Sequence, residues 1–151
     1  IGDYTADALW SEDGLKGCKK FLDRIERLAT KLNNDDGYSK SVEILINQTI
    51  KKVTEDLDNM KYNTAVSALM ILLNEYEKLE TISSKDYRVL IHLLNPIAPH
   101  ITEELNQQYN LGKVLCESIW PLYDENKLIN ETFTMVPRAY DGGNAHDGRK
   151  R

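Results

Sequence analysis

The stretch that decides the fold reads Pro96-Ile97-Ala98-Pro99-His100-Ile101-Thr102-Glu103-Glu104-Leu105. Two prolines three residues apart end one amphipathic helix and start another. Pro99 suits the first turn of a helix, because the N–H that proline lacks would have no intrahelical acceptor there. Glu103 and Glu104 follow near the positive end of that helix's dipole. The stretch therefore predicts a sharp turn between two helices.

Apolar residues at helical spacing predict four helices upstream of this turn, the last of which the prolines end. The first spans Gly14 to Leu32, and the turn formers at 33–37 end it. The fourth restarts at Ser83 and runs into the prolines, and the short fifth helix continues to about residue 109. The candidate N-caps of the second, third and fourth helices are Ser39 or Ser41, Asn63 and Ser83. No strand pattern competes before residue 130.

The predicted helices imply a simple arrangement. They are joined by connections of about three to six residues, so consecutive helices are expected to be antiparallel neighbours. The predicted fold class is all-α: an antiparallel up-down helical bundle of four main helices, a short fifth helix after the Pro-x-x-Pro kink, and an extended C-terminal strap. Trp120 and Tyr123 of the strap should cover bundle surface. Residues 1–136 form this domain, and we expect the polar tail 137–151 to be disordered or non-native.

Composition narrows the class of protein. The two cysteines, Cys18 and Cys116, are too few for a disulfide framework, so we expect a cytoplasmic protein with both thiols in the core. No apolar run approaches the roughly 20 residues that cross a bilayer, and no membrane partner is expected. Because the chain begins at Ile1 without a methionine, we expect an excised fragment.

The sequence lacks the usual signatures of catalysis. Neither His92 nor His100 has an acidic residue three positions earlier, which a di-iron bundle would require. We expect His92 to be an uncharged core or rim residue, and His100 to shape the proline kink. No P-loop and no zinc-binding cysteine cluster is present in the sequence. The expectation is a chain with no cofactor and no activity of its own.

The first predicted helix carries a basic stripe. The net charge of −5 counts against a generic nucleic-acid binder, yet residues 14–32 hold six cations against two anions. Five of these cations recur at spacings of four, four, three and four: Lys16, Lys20, Arg24, Arg27 and Lys31. That spacing places them on the face opposite the apolar stripe, where a phosphate backbone could lie. From the pattern alone, a solvated helix face fits equally well.

Four motifs together resemble the helical tRNA-binding domain of leucyl-tRNA synthetases over residues 1 to about 136. They are Trp10-Ser11-x-x-Gly14-x-x-Gly17, Asn63-Thr64-Ala65, the proline-histidine box quoted above, and Trp120-Pro121. The resemblance implies a domain that supports tRNA(Leu) for aminoacylation. A separate catalytic domain of the parent enzyme, absent from this chain, would use ATP to charge the tRNA. The expected partners are therefore tRNA(Leu) and that catalytic domain, and not DNA.

Two positions depart from the family. Glu26 and Asn106 stand where tryptophan is usual. On an ideal helix each lies about a right angle from the centre of its apolar stripe, which makes it a rim position. We hypothesise that these two rims dock against the rest of the synthetase.

Two functions remain open at this point. The leading hypothesis is the tRNA-binding domain of a leucine-tRNA ligase, inactive alone. The alternative is a free-standing helical protein-interaction module derived from such a domain. A catalytic domain encoded in frame upstream of Ile1 would favour the first hypothesis, and a start codon near Ile1 the second.

Overall fold

The computed structural model describes residues 11–129, so Trp10, residues 130–136 and the predicted tail 137–151 lie outside the described residues. Within that range the chain is helical, which confirms the all-α prediction. The helices are α1 Glu12–Leu28, α2 Glu43–Asp58, α3 Tyr62–Lys78, α4 Ser84–Leu94 and α5 Pro99–Gln108. Short 3₁₀ turns follow at Ala29–Lys31, Leu115–Glu117 and Glu125–Lys127.

A very short strand pair joins the ends of two helices. β1 Leu32–Asn33 follows α1, β2 Ile82–Ser83 follows α3, and the two pair in parallel. The pairing places the C-terminal ends of α1 and α3 side by side. Sequence reasoning missed this pair, because two residues are too few to show the alternation of a strand.

The short connection predicted between the first two helices is wrong. α1 ends at Leu28 and α2 begins only at Glu43. Consecutive helices are antiparallel neighbours when their connection is short, so this longer connection does not require α1 to pack beside α2. The helix packs on α3 and α4 instead, and the hydroxyl of Tyr87 on α4 donates to the backbone oxygen of Ile25 at 3.0 Å. α2 and α3, which three residues join, do pack against each other.

Asp86 ties the long α1–α2 connection to the start of α4. The Ser83 hydroxyl accepts the N–H of Asp86 at 2.9 Å, and the Asp86 carboxylate accepts the N–H of Ser83 at 3.2 Å, which completes a capping box. The same carboxylate accepts the N–H and the hydroxyl of Ser39. Ser39 therefore binds to the first turn of α4. The caps predicted for α2 at Ser39 or Ser41, and for α3 at Asn63, are wrong, because both helices begin without a side-chain cap.

The proline stretch folds as predicted, with Pro99 as the first residue of α5. The amide nitrogen of the Asn95 side chain donates across the kink to Thr102 Oγ1 at 3.0 Å and to Glu103 Oε1 at 3.2 Å. His100 is exposed, and the role expected for it at the kink stays a prediction. Asn95 and Thr102 hold the kink, since both are buried and bonded to each other.

The strap crosses α2 and α4. The indole N–H of Trp120 donates to Thr54 Oγ1 at 2.8 Å, and its ring meets the His92 ring edge-on with centroids 5.6 Å apart. The Lys51 ammonium lies 5.8 Å from the centre of the Tyr123 ring. The covering role predicted for Trp120 and Tyr123 is confirmed.

Both cysteines are exposed, which corrects the expectation that they are core residues. Cys18 lies on α1 ahead of Phe21, the first buried residue of that helix. Cys116 lies in a 3₁₀ turn whose buried residue is Leu115. Helical spacing predicts which face of a helix is apolar, but it does not predict where the surface that buries this face ends.

Replacing Asp86 with alanine should lower the free energy of unfolding by about 2–4 kcal/mol, because the half-buried donors of Ser39 and the buried N–H of Ser83 would lose their acceptor. Urea denaturation followed by circular dichroism measures the change. Asp36→Ala, which removes an exposed carboxylate, is the control and should cost less than about 0.5 kcal/mol. A loss for Asp86→Ala no larger than the control would contradict the assignment.

Candidate nucleic-acid interface

The bundle holds α1 only over its second half. Ser11 caps the helix, its hydroxyl accepting the N–H of Gly14 at 3.2 Å. None of residues 11–20 is buried, and the buried residues of the helix are Phe21, Ile25 and Leu28. The first turns of α1 therefore extend past the surface that the described residues form, and their cations reach solvent.

Arg24 and Lys31, two of the five residues of the predicted stripe, bind inside the domain. Arg24 donates from Nε to one carboxylate oxygen of Glu77 at 2.9 Å, and from Nη2 to the other oxygen and to Asn74 Oδ1. Lys31 donates to the backbone oxygens of Glu77 and Leu79, each at 2.7 Å, at the C-terminal end of α3. A cation is favoured there by the helix dipole. The placement of both residues on a solvent face is thereby corrected, because Arg24 lies on the flank of α1 that meets α3 and Lys31 lies in the 3₁₀ turn that follows α1.

The Arg24–Glu77 pair is electrostatically favourable for both partners. The hydrogen bond from Arg24 lowers the pKa of the Glu77 carboxyl, and the nearby Arg27 and Lys31 lower it further. The hydrogen bond to Glu77 in turn raises the pKa of Arg24. The pair is therefore ionised at neutral pH, and its contribution to stability is lost as the pH falls through the lowered pKa of Glu77.

Three cations remain exposed on one side of α1, and we call Lys16, Lys20 and Arg27 the cationic face. At about 100° per residue, these three lie within about 40° of each other and roughly opposite the buried residues. Lys16 pairs with Asp13 at 3.3 Å, but both side chains are largely exposed, and such a pair contributes little stability. A phosphate could therefore replace the Asp13 carboxylate at little cost.

The two predicted docking positions differ in the structure. Glu26 is exposed on α1, and its docking role stays a prediction. Asn106 is only 3% exposed, so its assignment to a rim is wrong. Its side-chain amide donates to the backbone oxygens of Lys113 at 3.0 Å and Gly112 at 3.4 Å. The chain that follows α5 folds back over Asn106. A helical wheel shows the residues of one helix only, so it could not predict this burial.

Glu103 has a structural role that the sequence did not indicate. Its carboxylate accepts the N–H groups of Leu115 at 3.0 Å and Cys116 at 2.9 Å. Burial by itself raises the pKa of Glu103, but these bonds and one from Asn95 outweigh burial, and the pKa lies below its usual range. Glu103 therefore joins the proline kink to the start of the strap, which in turn covers the bundle.

Residues 11–129 contain no cluster of three or more His, Cys, Asp or Glu side chains that could hold a metal ion. No helix in the same range is long and apolar enough to cross a membrane. His92 is buried, and its pKa is lowered by burial and by the charge of Arg88. It is therefore neutral at pH 7, in agreement with the expectation from sequence.

Residues 39–141 match the family described as the anticodon-binding domain of tRNA ligase, and the chain belongs to that family. Two leucine-tRNA ligases are similar to it. The ligase of Alkaliphilus oremlandii (strain OhILAs) is 43% identical over 142 residues, which cover 94% of this chain and 18% of the ligase. That of Bdellovibrio bacteriovorus is 41% identical over 144 residues, which cover 89% of this chain and 18% of the ligase. The chain thus spans less than a fifth of the length of these relatives.

A solved structure shares the fold. It is a crystal structure of the ternary complex of Agrobacterium radiobacter K84 agnB2 LeuRS with tRNA and LeuAMS. The match has a TM-score of 0.72 and 25% sequence identity, and it covers 86% of this chain and 19% of that chain. The resemblance to leucyl-tRNA synthetases that the sequence motifs indicated is confirmed by these similarities.

Arg24→Ala should destabilise the domain because it removes a contact between α1 and α3. The side chains of Arg24 and Glu77 are 23% and 37% exposed, so a double-mutant cycle with Glu77→Ala should give a coupling of about 1 kcal/mol at neutral pH. The coupling should weaken as the pH falls through the lowered pKa of Glu77, because protonation discharges the carboxylate. Urea denaturation at neutral pH and over an acidic pH series measures it. No coupling at neutral pH, or a coupling that does not change with pH, would contradict the assignment.

Proposed function

We propose that this chain acts as the tRNA-binding domain of a leucine-tRNA ligase. In this proposal it supports tRNA(Leu) in the cytoplasm, while a catalytic domain outside the chain uses ATP and charges the tRNA. The observation that carries the proposal is membership of the anticodon-binding family, together with the similarity of nearly the whole chain to two leucine-tRNA ligases. The tRNA in the complex of the structurally similar LeuRS adds support.

The cationic face supplies the chemistry that the proposal needs. Three exposed cations on one side of α1 can contact successive phosphates of an RNA backbone, and each neutralised phosphate releases condensed counterions. The chain as a whole carries a charge of −5, so RNA is attracted to this face and repelled by more acidic surface elsewhere. The contacts are to backbone phosphates, which position an RNA without reading its sequence.

Replacing Lys20 and Arg27 together with alanine should weaken binding of a tRNA(Leu) transcript by about tenfold at moderate salt, because two phosphate contacts are lost. The slope of log affinity against log salt should become shallower by about one unit per lost contact. Fluorescence anisotropy across a salt series measures both quantities, and thermal melting should be nearly unchanged because both side chains are exposed.

The matched control for this experiment is Lys40→Ala with Lys61→Ala. That variant removes the same charge from exposed lysines on other parts of the surface. It should change affinity and salt slope much less than the α1 variant. Equal effects of the two variants would show that only net charge matters, and would reject the cationic face as the binding surface.

A further inference from the structure

A small cleft opens between α4 and the strap. Three basic side chains of α4, spaced by three and four residues, line one wall of it: Lys85, Arg88 and His92. Tyr38 lines it from the α1–α2 connection and Pro121 from the strap. We call this space the α4 cleft. Its volume is about 150 Å³, whereas pockets for drug-sized ligands measure roughly 300–1,000 Å³, so the cleft suits a small ligand.

The guanidinium of Arg88 is held in place by neutral groups. Its Nη2 donates to the backbone oxygen of Lys113 and to Ser118 Oγ, each at 3.0 Å. The backbone of Gly112 packs on the guanidinium so closely that a Cβ atom placed there would lie 3.3 Å from Cζ. The Nε donor is buried, and no residue in the described part of the chain accepts its hydrogen bond. These contacts fix the direction of the guanidinium without cancelling its charge.

Lys85 adds a second positive charge at the cleft. Its ammonium lies 4.3 Å from the centre of the Tyr38 ring, and this cation–π contact holds it beside the cleft. Within residues 11–129, neither Lys85 nor Arg88 forms an ion pair with a carboxylate. Asp86 follows Lys85 along α4, but it is buried and its carboxylate is bonded to two serines. The cleft therefore carries two charges that the described residues leave unpaired.

The α4 cleft and the cationic face point in different directions. Tyr87 contacts α1 through its hydroxyl. At about 100° per residue, the three basic residues of the cleft lie about 100–160° around α4 from Tyr87. The cleft therefore lies away from the side of α4 that packs on α1, and it is a separate site.

We propose that the α4 cleft binds a phosphate group, with the Lys85 ammonium and the Arg88 guanidinium as its two cationic ligands. Hydrogen bonds from charged donors to phosphate oxygens are short and strong, and the guanidinium geometry matches phosphate. Lys85 also lies in the first turn of α4, where the helix dipole favours an anion. Because Arg88 is bonded to Ser118, a bound phosphate would link the strap to α4. This site goes beyond the proposed function and does not depend on it.

Titration of the 151-residue chain with sodium phosphate tests the site. Sodium chloride holds the ionic strength constant, and ¹H–¹⁵N NMR follows the backbone amides. The amides of Tyr38 and of residues 85–88 should shift and saturate, with a dissociation constant on the order of 1 mM for two charge-assisted contacts in an open cleft. The amides of Lys16 and Lys20 should shift much less, because their exposed side chains form no cleft. No saturable shift at the cleft, or equal shifts on α1, would overturn the proposal.

Acetate provides the control for the chemistry of the ligand. It carries one charge and two oxygens, so it should bind the cleft much more weakly than phosphate does. Equal affinity for acetate and phosphate would overturn the assignment to phosphate. None of these titrations contains tRNA, so they stand or fail separately from the proposed function.

Lys85→Ala and Lys51→Ala form a matched pair of variants. Each removes one positive charge and one cation–π contact, since the Lys51 ammonium lies 5.8 Å from the centre of the Tyr123 ring. Neither replacement removes a hydrogen bond between described residues, so the melting temperature should be nearly unchanged. Lys85→Ala should raise the dissociation constant for phosphate about tenfold, and Lys51→Ala should not change it. Equal effects of the two variants would overturn the proposal.

A tRNA(Leu) transcript distinguishes the two sources of phosphate, the free anion and an RNA backbone. The small volume of the cleft and its direction away from the cationic face favour the free anion. Shifts caused by phosphate that persist at saturating tRNA would assign the site to the free anion. Loss of these shifts, together with slower acylation of Lys85, would assign it to a backbone phosphate. Both results retain the phosphate site.

Discussion

The position of α1 depends on one buried carboxylate at the start of α4, next to the strand pair that follows α1. Asp86 accepts hydrogen bonds from Ser39 and Ser83, and so fixes the long connection between α1 and α2 to the start of α4. A connection of this length does not force α1 beside α2. Held by Asp86, it instead lets α1 lie along α3, where β1 and β2 pair and Arg24 meets Glu77. The outward direction of the cationic face follows from that placement.

The two halves of α1 differ in how much of their surface the bundle covers. In the second half the apolar side is buried, Arg24 bonds to α3, and Lys31 in the 3₁₀ turn that follows bonds to the end of α3. In the first half no residue is buried by the part of the chain that the structure describes, and Lys16 and Lys20 are exposed. The second half therefore fixes the direction of the helix, and the first half presents its cations to solvent.

The sequence predicted the elements of the fold better than the contacts between them. Pro99 at the start of α5, Ser83 at the cap of α4 and Trp120 over the bundle follow from local chemistry, and all three are confirmed. The roles of Arg24 and Asn106 could not be predicted in this way. The spacing of residues gives an angle around a helix, but it does not reveal that Glu77 faces Arg24 or that the chain returns over Asn106. For the same reason, only three of the five cations predicted to lie on the solvent face are free of the bundle in the structure.

In the proposed function, tRNA contacts the outward side of α1 and not the flank that faces α3. Lysine acylation followed by mass spectrometry, with and without a tRNA(Leu) transcript, distinguishes the two surfaces. We expect tRNA to slow acylation of Lys16 and Lys20, while Lys40 and Lys61 react as before. Lys31 should react slowly in both states, because its ammonium is bonded to the end of α3. If Lys16 and Lys20 react equally fast on saturation with tRNA, the outward side of α1 is not the binding surface.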